Sequence, residues 1–264
     1  MITNIYDFSY SYLLDISKDY LSREKIDNFI EHPDAPDLKS LSDVYEMLLV
    51  VLQDFQMYPK VINYSERKKE IKETINFPDF EHIAKLDLYE LSELFIKKYK
   101  SRGKMCWIRY CKGIISGARF LSQFKDLDDF LTVCDSFDSN DVTREAYALF
   151  LQTKIDNMGF AIACNWLKEL GYFNYPKPDQ HMKDICCALG TISQKRKDID
   201  CFEAMLNIAK QCGVEPYKLD KVWWLICSGN YYRYRIQLPN PKRNKALFLG
   251  KLSEQYAKGD NNHD

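Results

Sequence analysis

Residues 153–185 read TKIDNMGFAIACNWLKELGYFNYPKPDQHMKDI, and the order of turn formers and apolar positions in this stretch decides the architecture. A helix is expected to end near Ile155, where Asp156-Asn157-Met158-Gly159 gathers residues that favour a tight turn. Asn and Gly tolerate positive φ better than other residues, so the chain can reverse within these positions. Phe160, Ala163, Cys164, Leu167 and Leu170 then fall at helical spacing, which predicts a second helix over 159–171 capped by Gly171. Its first backbone N–H groups lack intrahelical acceptors and point outward, an arrangement that binds phosphate oxygens. After an aromatic loop, Pro178-Asp179 opens another helix and sets the Asp179 carboxylate at its N-terminal end.

The helical signal continues in both directions from this segment. Val44, Met47, Leu48, Val51, Leu52 and Phe55 form an apolar stripe, and Leu88, Leu91, Leu94 and Phe95 repeat it, as do Ala146, Leu149 and Phe150. Further helices are expected near 104–124, 179–190, 199–211 and 216–228, with breaks at Pro33/Pro36, Pro59, Pro78, Pro176/Pro178 and Pro239/Pro241. No convincing two-residue period and no fixed-length repeat emerges. Gly (10) and Pro (9) are scarce for a sheet-rich chain of 264 residues, so an all-α fold is expected. The tail 258–264 reads as frayed.

Composition narrows the class. Hydrophobic residues at 46% and charged residues at 28% describe a globular chain, not a disordered one. No apolar run approaches the ~20 residues of a membrane span, and the start Met1–Asp7 lacks a signal-peptide pattern, so no membrane partner and an intracellular location (cytoplasm, nucleoid or nucleus) are expected. The nine cysteines are odd in number. Cys164, Cys186, Cys187 and Cys227 sit among apolar neighbours, where a reduced thiol acts as a small hydrophobe. No Cys-x-x-Cys occurs, and no metal site is expected.

A formal net charge of −1 hides strong segregation. Residues 1–50 carry ten acids against four Lys/Arg. Residues 95–125 carry nine Lys/Arg and no acid; residues 126–145 carry seven acids against Arg144; residues 221–251 are again acid-free, with seven Lys/Arg. Two such basic stretches can face a polyanion, or they can neutralise acidic helices within the fold.

The hairpin and the following acid resemble those of the helix-hairpin-helix DNA glycosylase superfamily, whose hairpin reads roughly Leu-Pro-Gly-Val-Gly-x-x-x-Ala. Ile155-Asp156-Asn157-Met158-Gly159-Phe160-Ala161-Ile162-Ala163 fills that frame with Asn157 in place of the first glycine. The family then places a catalytic Asp in a Val-Asp-x-His type of motif, and Pro178-Asp179-Gln180-His181 lies in that register, Asp179 being twenty positions after Gly159. Gly117–Leu121 resembles the helix before the hairpin. The resemblance covers 104–190, and 40–100 and 190–250 loosely. Bifunctional members carry a nucleophilic lysine in the second hairpin helix, and Ala161 stands at that position; the four-cysteine cluster loop is missing too.

The resemblance therefore implies a monofunctional, two-lobed helical glycosylase with double-stranded DNA across a cleft, acting as a monomer without a cofactor, although the hairpin turn could hold a monovalent cation. The lobes would comprise 60–175, with the hairpin at about 144–171, and 1–59 plus 176–255. Asp179 would activate water and stabilise the sugar cation as the base departs. Asn157, Met158, Gly159, Phe160 and Ala161 would hold a phosphate. Gln53, Gln56 and Tyr58 would supply the wedge in the gap left by the extruded base. His181, Trp223, Tyr231 and Tyr232 would line the base pocket, and Lys104, Arg109, Arg119, Arg233 and Arg235 would follow the backbone. Taken residue by residue, Asp179 can equally be a plain N-cap, His181 a structural hydrogen-bonding group, and Trp223 or Trp224 core. The rival readings are a non-catalytic DNA-binding module and a helical interaction scaffold.

Overall fold

The computed structural model describes residues 4–54, 58–194 and 197–256. Among the described residues the regular structure is helical, apart from a two-residue antiparallel pairing of Asn230–Tyr231 with Ile236–Gln237. No disulfide joins the cysteines. No described helix is long and apolar enough to cross a membrane.

The chain divides into two compact units: one is continuous, 35–171, and the other combines described residues from 1–34 and 172–264. Helices of the terminal unit are α1 (Ile5–Ser17) and α2 (Arg23–Ile30) before the continuous unit begins. The continuous unit holds α3 (Leu41–Val51), α4 (Tyr58–Ile62), α5 (Tyr64–Thr74), α6 (Phe80–Ile83), α7 (Leu88–Lys98), α8 (Lys104–Leu121), α9 (Leu127–Phe137), α10 (Asp141–Lys154) and α11 (Phe160–Glu169). The terminal unit resumes with α12 (Gln180–Ala188), α13 (Asp198–Cys212), α14 (Pro216–Ser228) and α15 (Pro241–Tyr256).

In the continuous unit α8 is the axis, with α3, α4, α6, α7 and α10 packed on it. Trp107, Tyr110, Ile114, Ala118 and Leu121 are fully buried along its length. Two glycines let α3 approach: a Cβ at Gly117 would lie 2.5 Å from a Leu48 methyl, and one at Gly113 would lie 2.9 Å from the Leu52 methyls. The Tyr45 hydroxyl donates to the Ile114 carbonyl and the Tyr110 hydroxyl to the Leu49 carbonyl, both at 2.8 Å, so the buried phenols are satisfied across the α3–α8 contact. This packing explains a departure from the expected boundary. Residues 35–59 were expected with the chain termini, but α3 buries Val44, Leu48 and Leu49 against α8 and α11, which draws this part of the chain into the continuous unit.

In the terminal unit α14 is central, contacting α1, α2, α12, α13 and α15. Proline opens it and Gly229, at φ +62°, ends it in the left-handed conformation that glycine adopts at least cost. Trp223 is fully buried, and its indole N–H donates to Ser9 Oγ at 3.0 Å. The helix limits read from the sequence agree within a few residues, and 216–228 agrees at both ends.

Candidate active site

Asp179 is the N-cap of α12. Its Oδ1 accepts from the backbone N–H groups of His181 (2.8 Å) and Met182 (3.2 Å), while Oδ2 has no hydrogen-bond partner among the described residues. The carboxylate is half-buried. The two carboxylate oxygens thus differ: Oδ1 is locked by the cap, and Oδ2 takes no part in it. The helix is anchored beneath by fully buried Met182, Ile185 and Cys186. The loop before it is pinned to α14, because Asp220 Oδ2 accepts from the Lys177 N–H at 3.1 Å and Asp220 is only 4% exposed. Asp220 gave no sequence signal beyond being an acid on an apolar helix.

His181 is half-buried, and its Nδ1 lies 3.0 Å from Lys245 Nζ. Lys245 also pairs with Asp184. Burial pushes the imidazole below the ordinary histidine pKa and Lys245 adds to this, while Asp179 and Asp184 act in the opposite sense. The Cys227 thiol shares this environment and burial pushes it up to about 12. Lys245 was visible in the sequence only as one charge of the basic stretch 221–251.

The turn between α10 and α11, which pack against each other, rests on α8. Ser116 Oγ accepts from the Asp156 N–H at 2.8 Å, and the Asp156 carbonyl lies 3.0 Å from where a Gly113 Cβ would stand. Asn157 takes the left-handed conformation (φ +64°); Gly159 is extended (φ −75°), so its smallness serves access and not backbone freedom. A Cβ at Gly159 would meet nothing within 4 Å. The amides of Asn157, Gly159 and Ala161 have no hydrogen-bond acceptor among the described residues. Met158 and Phe160 bury their side chains, each 2% exposed, so they offer only main chain to a ligand. In the sequence Gly113 and Ser116 stand out only as small residues three apart on a helix that also carries Lys104, Arg109, Lys112 and Arg119.

The remaining expected site residues separate. Trp223 and Tyr231 are corrections: both are fully buried, and the Tyr231 hydroxyl hydrogen-bonds with Ser17 Oγ at 2.9 Å, so neither is available to a base. Tyr232 is 49% exposed, set edge-on against Phe29 and Trp224. Gln53 Oε1 accepts from the Tyr64 N–H at 3.0 Å; Gln56 and the Tyr58 side chain lie outside the described residues. Lys104, Arg109, Arg119, Arg233 and Arg235 are all exposed. Arg119 donates to the Ala84 carbonyl and Arg233 to the Asn28 carbonyl, each at 3.2 Å. The basic stretches are partly neutralised, since Lys97, Lys98 and Lys125 pair with Glu93, Glu70 and Asp126.

No family model and no curated protein matches the sequence. Two solved structures resemble the fold. The 8-oxoguanine DNA glycosylase of Methanocaldococcus jannaschii has a TM-score of 0.54 at 17% identity, covering 87% of this chain and 98% of that one. The 8-oxoguanine glycosylase/lyase of the same organism, in complex with a 15mer DNA containing 8-oxoguanine, has a TM-score of 0.51 at 17% identity, covering 82% and 95%. At that identity the likeness lies in the architecture: this chain has an all-α, DNA-glycosylase-like fold.

Proposed function

We propose that the chain is a DNA base-excision glycosylase of the monofunctional kind, with Asp179 as its carboxylate. The observation that carries this reading is the division of labour at Asp179, whose Oδ1 is fixed by two amides while Oδ2 remains without a partner on a chain of glycosylase-like fold. A base turned out of the duplex leaves an oxocarbenium-like sugar. A rigid anion stabilises that charge, because its own reorientation costs nothing at the moment of reaction. Water then adds its hydroxyl to C1′, and its proton balances the departing base. Ala161 supplies no amine, so no Schiff base forms through the hairpin.

The turn amides of Asn157, Gly159 and Ala161 support the same reading as a phosphate cradle, positioning DNA without reading its sequence. The test is a panel of duplexes, each with one altered base (8-oxoguanine, a deaminated base, an alkylated base), followed by hot-alkali cleavage at abasic sites. Release from at least one duplex is expected. The two cap bonds of Asp179 also favour a second reading, a DNA-binding module without catalysis. Tight binding with no release from any duplex would select it.

A further inference from the structure

The polar groups around His181 carry an inference whose geometry stands alone and whose consequence for catalysis rests on the glycosylase reading. α15 packs on α12 and brings Lys245 Nζ to 3.0 Å from His181 Nδ1. The same ammonium pairs with Asp184, and these two side chains are only 18% and 17% exposed, so water competes little for either. An ammonium has three donors and no acceptor. At hydrogen-bonding distance the ring nitrogen must therefore present its lone pair, which leaves the ring proton on Nε2. The backbone N–H of the same residue is bound to Asp179 Oδ1 at 2.8 Å. His181 is thus held at two points, by its main chain on Asp179 and by its ring on Lys245.

We infer that Lys245 is a positioning residue that fixes His181 as a neutral imidazole with its proton on Nε2, so that the ring nearest the Asp179 carboxylate in sequence carries no positive charge. An imidazolium there would act as a counter-ion to Asp179 and weaken the anion offered to a sugar cation. The charged and titratable groups around the ring are consistent with this. Asp179 and Asp184 on its own helix favour the imidazolium, whereas burial and Lys245 oppose it. Cys227 from α14 remains a thiol, as does Cys201 from α13, whose titration is raised by its contact with Cys186 and by burial. On the α13 side Asp198 is taken by Lys183.

The chain has four histidines, so ¹⁵N-histidine labelling with long-range proton–nitrogen correlation reads this ring directly, assigned by His181→Gln. The expected wild-type signature is an unprotonated Nδ1, a protonated Nε2 and a lowered titration. Lys245→Gln keeps a donor and drops the charge, so the tautomer should persist while titration moves to higher pH. Lys245→Met removes both, so the two tautomers should mix and titration should rise. An Nδ1-protonated wild type, or a tautomer and titration unchanged in Lys245→Met, would overturn the inference. If Lys245→Met does not fold, an unmoved titration in Lys245→Gln overturns it as well. On a duplex that the wild type processes, the acid limb of kcat/KM should move to higher pH in Lys245→Gln and return in Lys245→Arg. A wild type that releases no base would remove the glycosylase reading and leave the ring's spectrum to decide the inference, so the two failures are distinguishable.

Discussion

Asp179→Asn separates charge from cap. Asparagine keeps a side-chain carbonyl oxygen in place of Oδ1, so the bonds from His181 and Met182 survive, and Asn caps helices about as well as Asp. What is lost in the resting protein is a charge–dipole contribution of about 0.3–1 kcal/mol. For a chain of this size that moves Tm by no more than about 2–4 °C. The reaction loses far more. A carboxylate about 4 Å from a sugar cation, at an effective dielectric near 20, contributes on the order of 4 kcal/mol. Each ~1.4 kcal/mol is tenfold in rate, so base release should fall by about a thousandfold. Single-turnover release from the best duplex of the panel, alongside thermal unfolding and a binding titration, gives all three quantities. Asp179→Ala serves as the contrast, because it removes the cap too and should cost about 1 kcal/mol of stability. Wild-type release by Asp179→Asn would refute the catalytic assignment. So would activity that falls only in step with Tm across the two variants.

Other outcomes follow from the same geometry. Gly159→Val adds a branched side chain in open space beside the turn amides that lack an acceptor, so DNA affinity should drop similarly for all duplexes while Tm stays put; unchanged affinity would remove the turn from the interface. Gly113→Ala drives a methyl against Leu52 and the Asp156 carbonyl and should cost about 1–3 kcal/mol in urea unfolding, whereas a neutral result would mean that the turn is not seated on α8. Arg235 makes no side-chain ion pair among the described residues, so Arg235→Ala should reduce the slope of log affinity against log salt by about 0.9 if it meets a phosphate; an unaltered slope places it off the DNA. Because the His181 pKa is depressed in the folded chain, the unfolded chain takes up that proton first as pH falls from near 6.5. Stability should therefore decline through that window and level off below the folded pKa, a component that His181→Gln abolishes and that urea midpoints across pH will show.

The fold was legible because its signals are local. Periodicity over α3, α8, α11 and α14 depends on neighbours three and four residues apart, and the Gly and Pro breaks are equally local. The turn at Asn157 and the cap at Asp179 were legible for the same reason, as both are decided within five residues. What escaped was long-range. Trp223 and Tyr231 lie in the basic stretch 221–251 and read as an aromatic platform, yet Ser9 and Ser17, each 214 positions earlier, claim their polar atoms. The unit boundary shifted because α3 looks the same from its own residues whichever core it joins. Lys245 and Ser116 acquire meaning only from His181 and Asp156, and no spacing rule links either pair.

The terminal unit is assembled from two separate segments of the chain, with Ser9 and Trp223 bonded although they stand 214 positions apart. During synthesis α1 and α2 leave the ribosome ahead of α12–α15 and must wait, without the helices they pack on, until those have emerged. The continuous unit has all of its own residues long before then and can close independently. Contacts of such separation are slow to form, since the intervening chain must be spanned before any burial rewards it. A chain stopped before α12 would therefore hold the turn at Asn157 without the Asp179 cap, so on the proposed reading the phosphate cradle is made before the acid is set in its orientation.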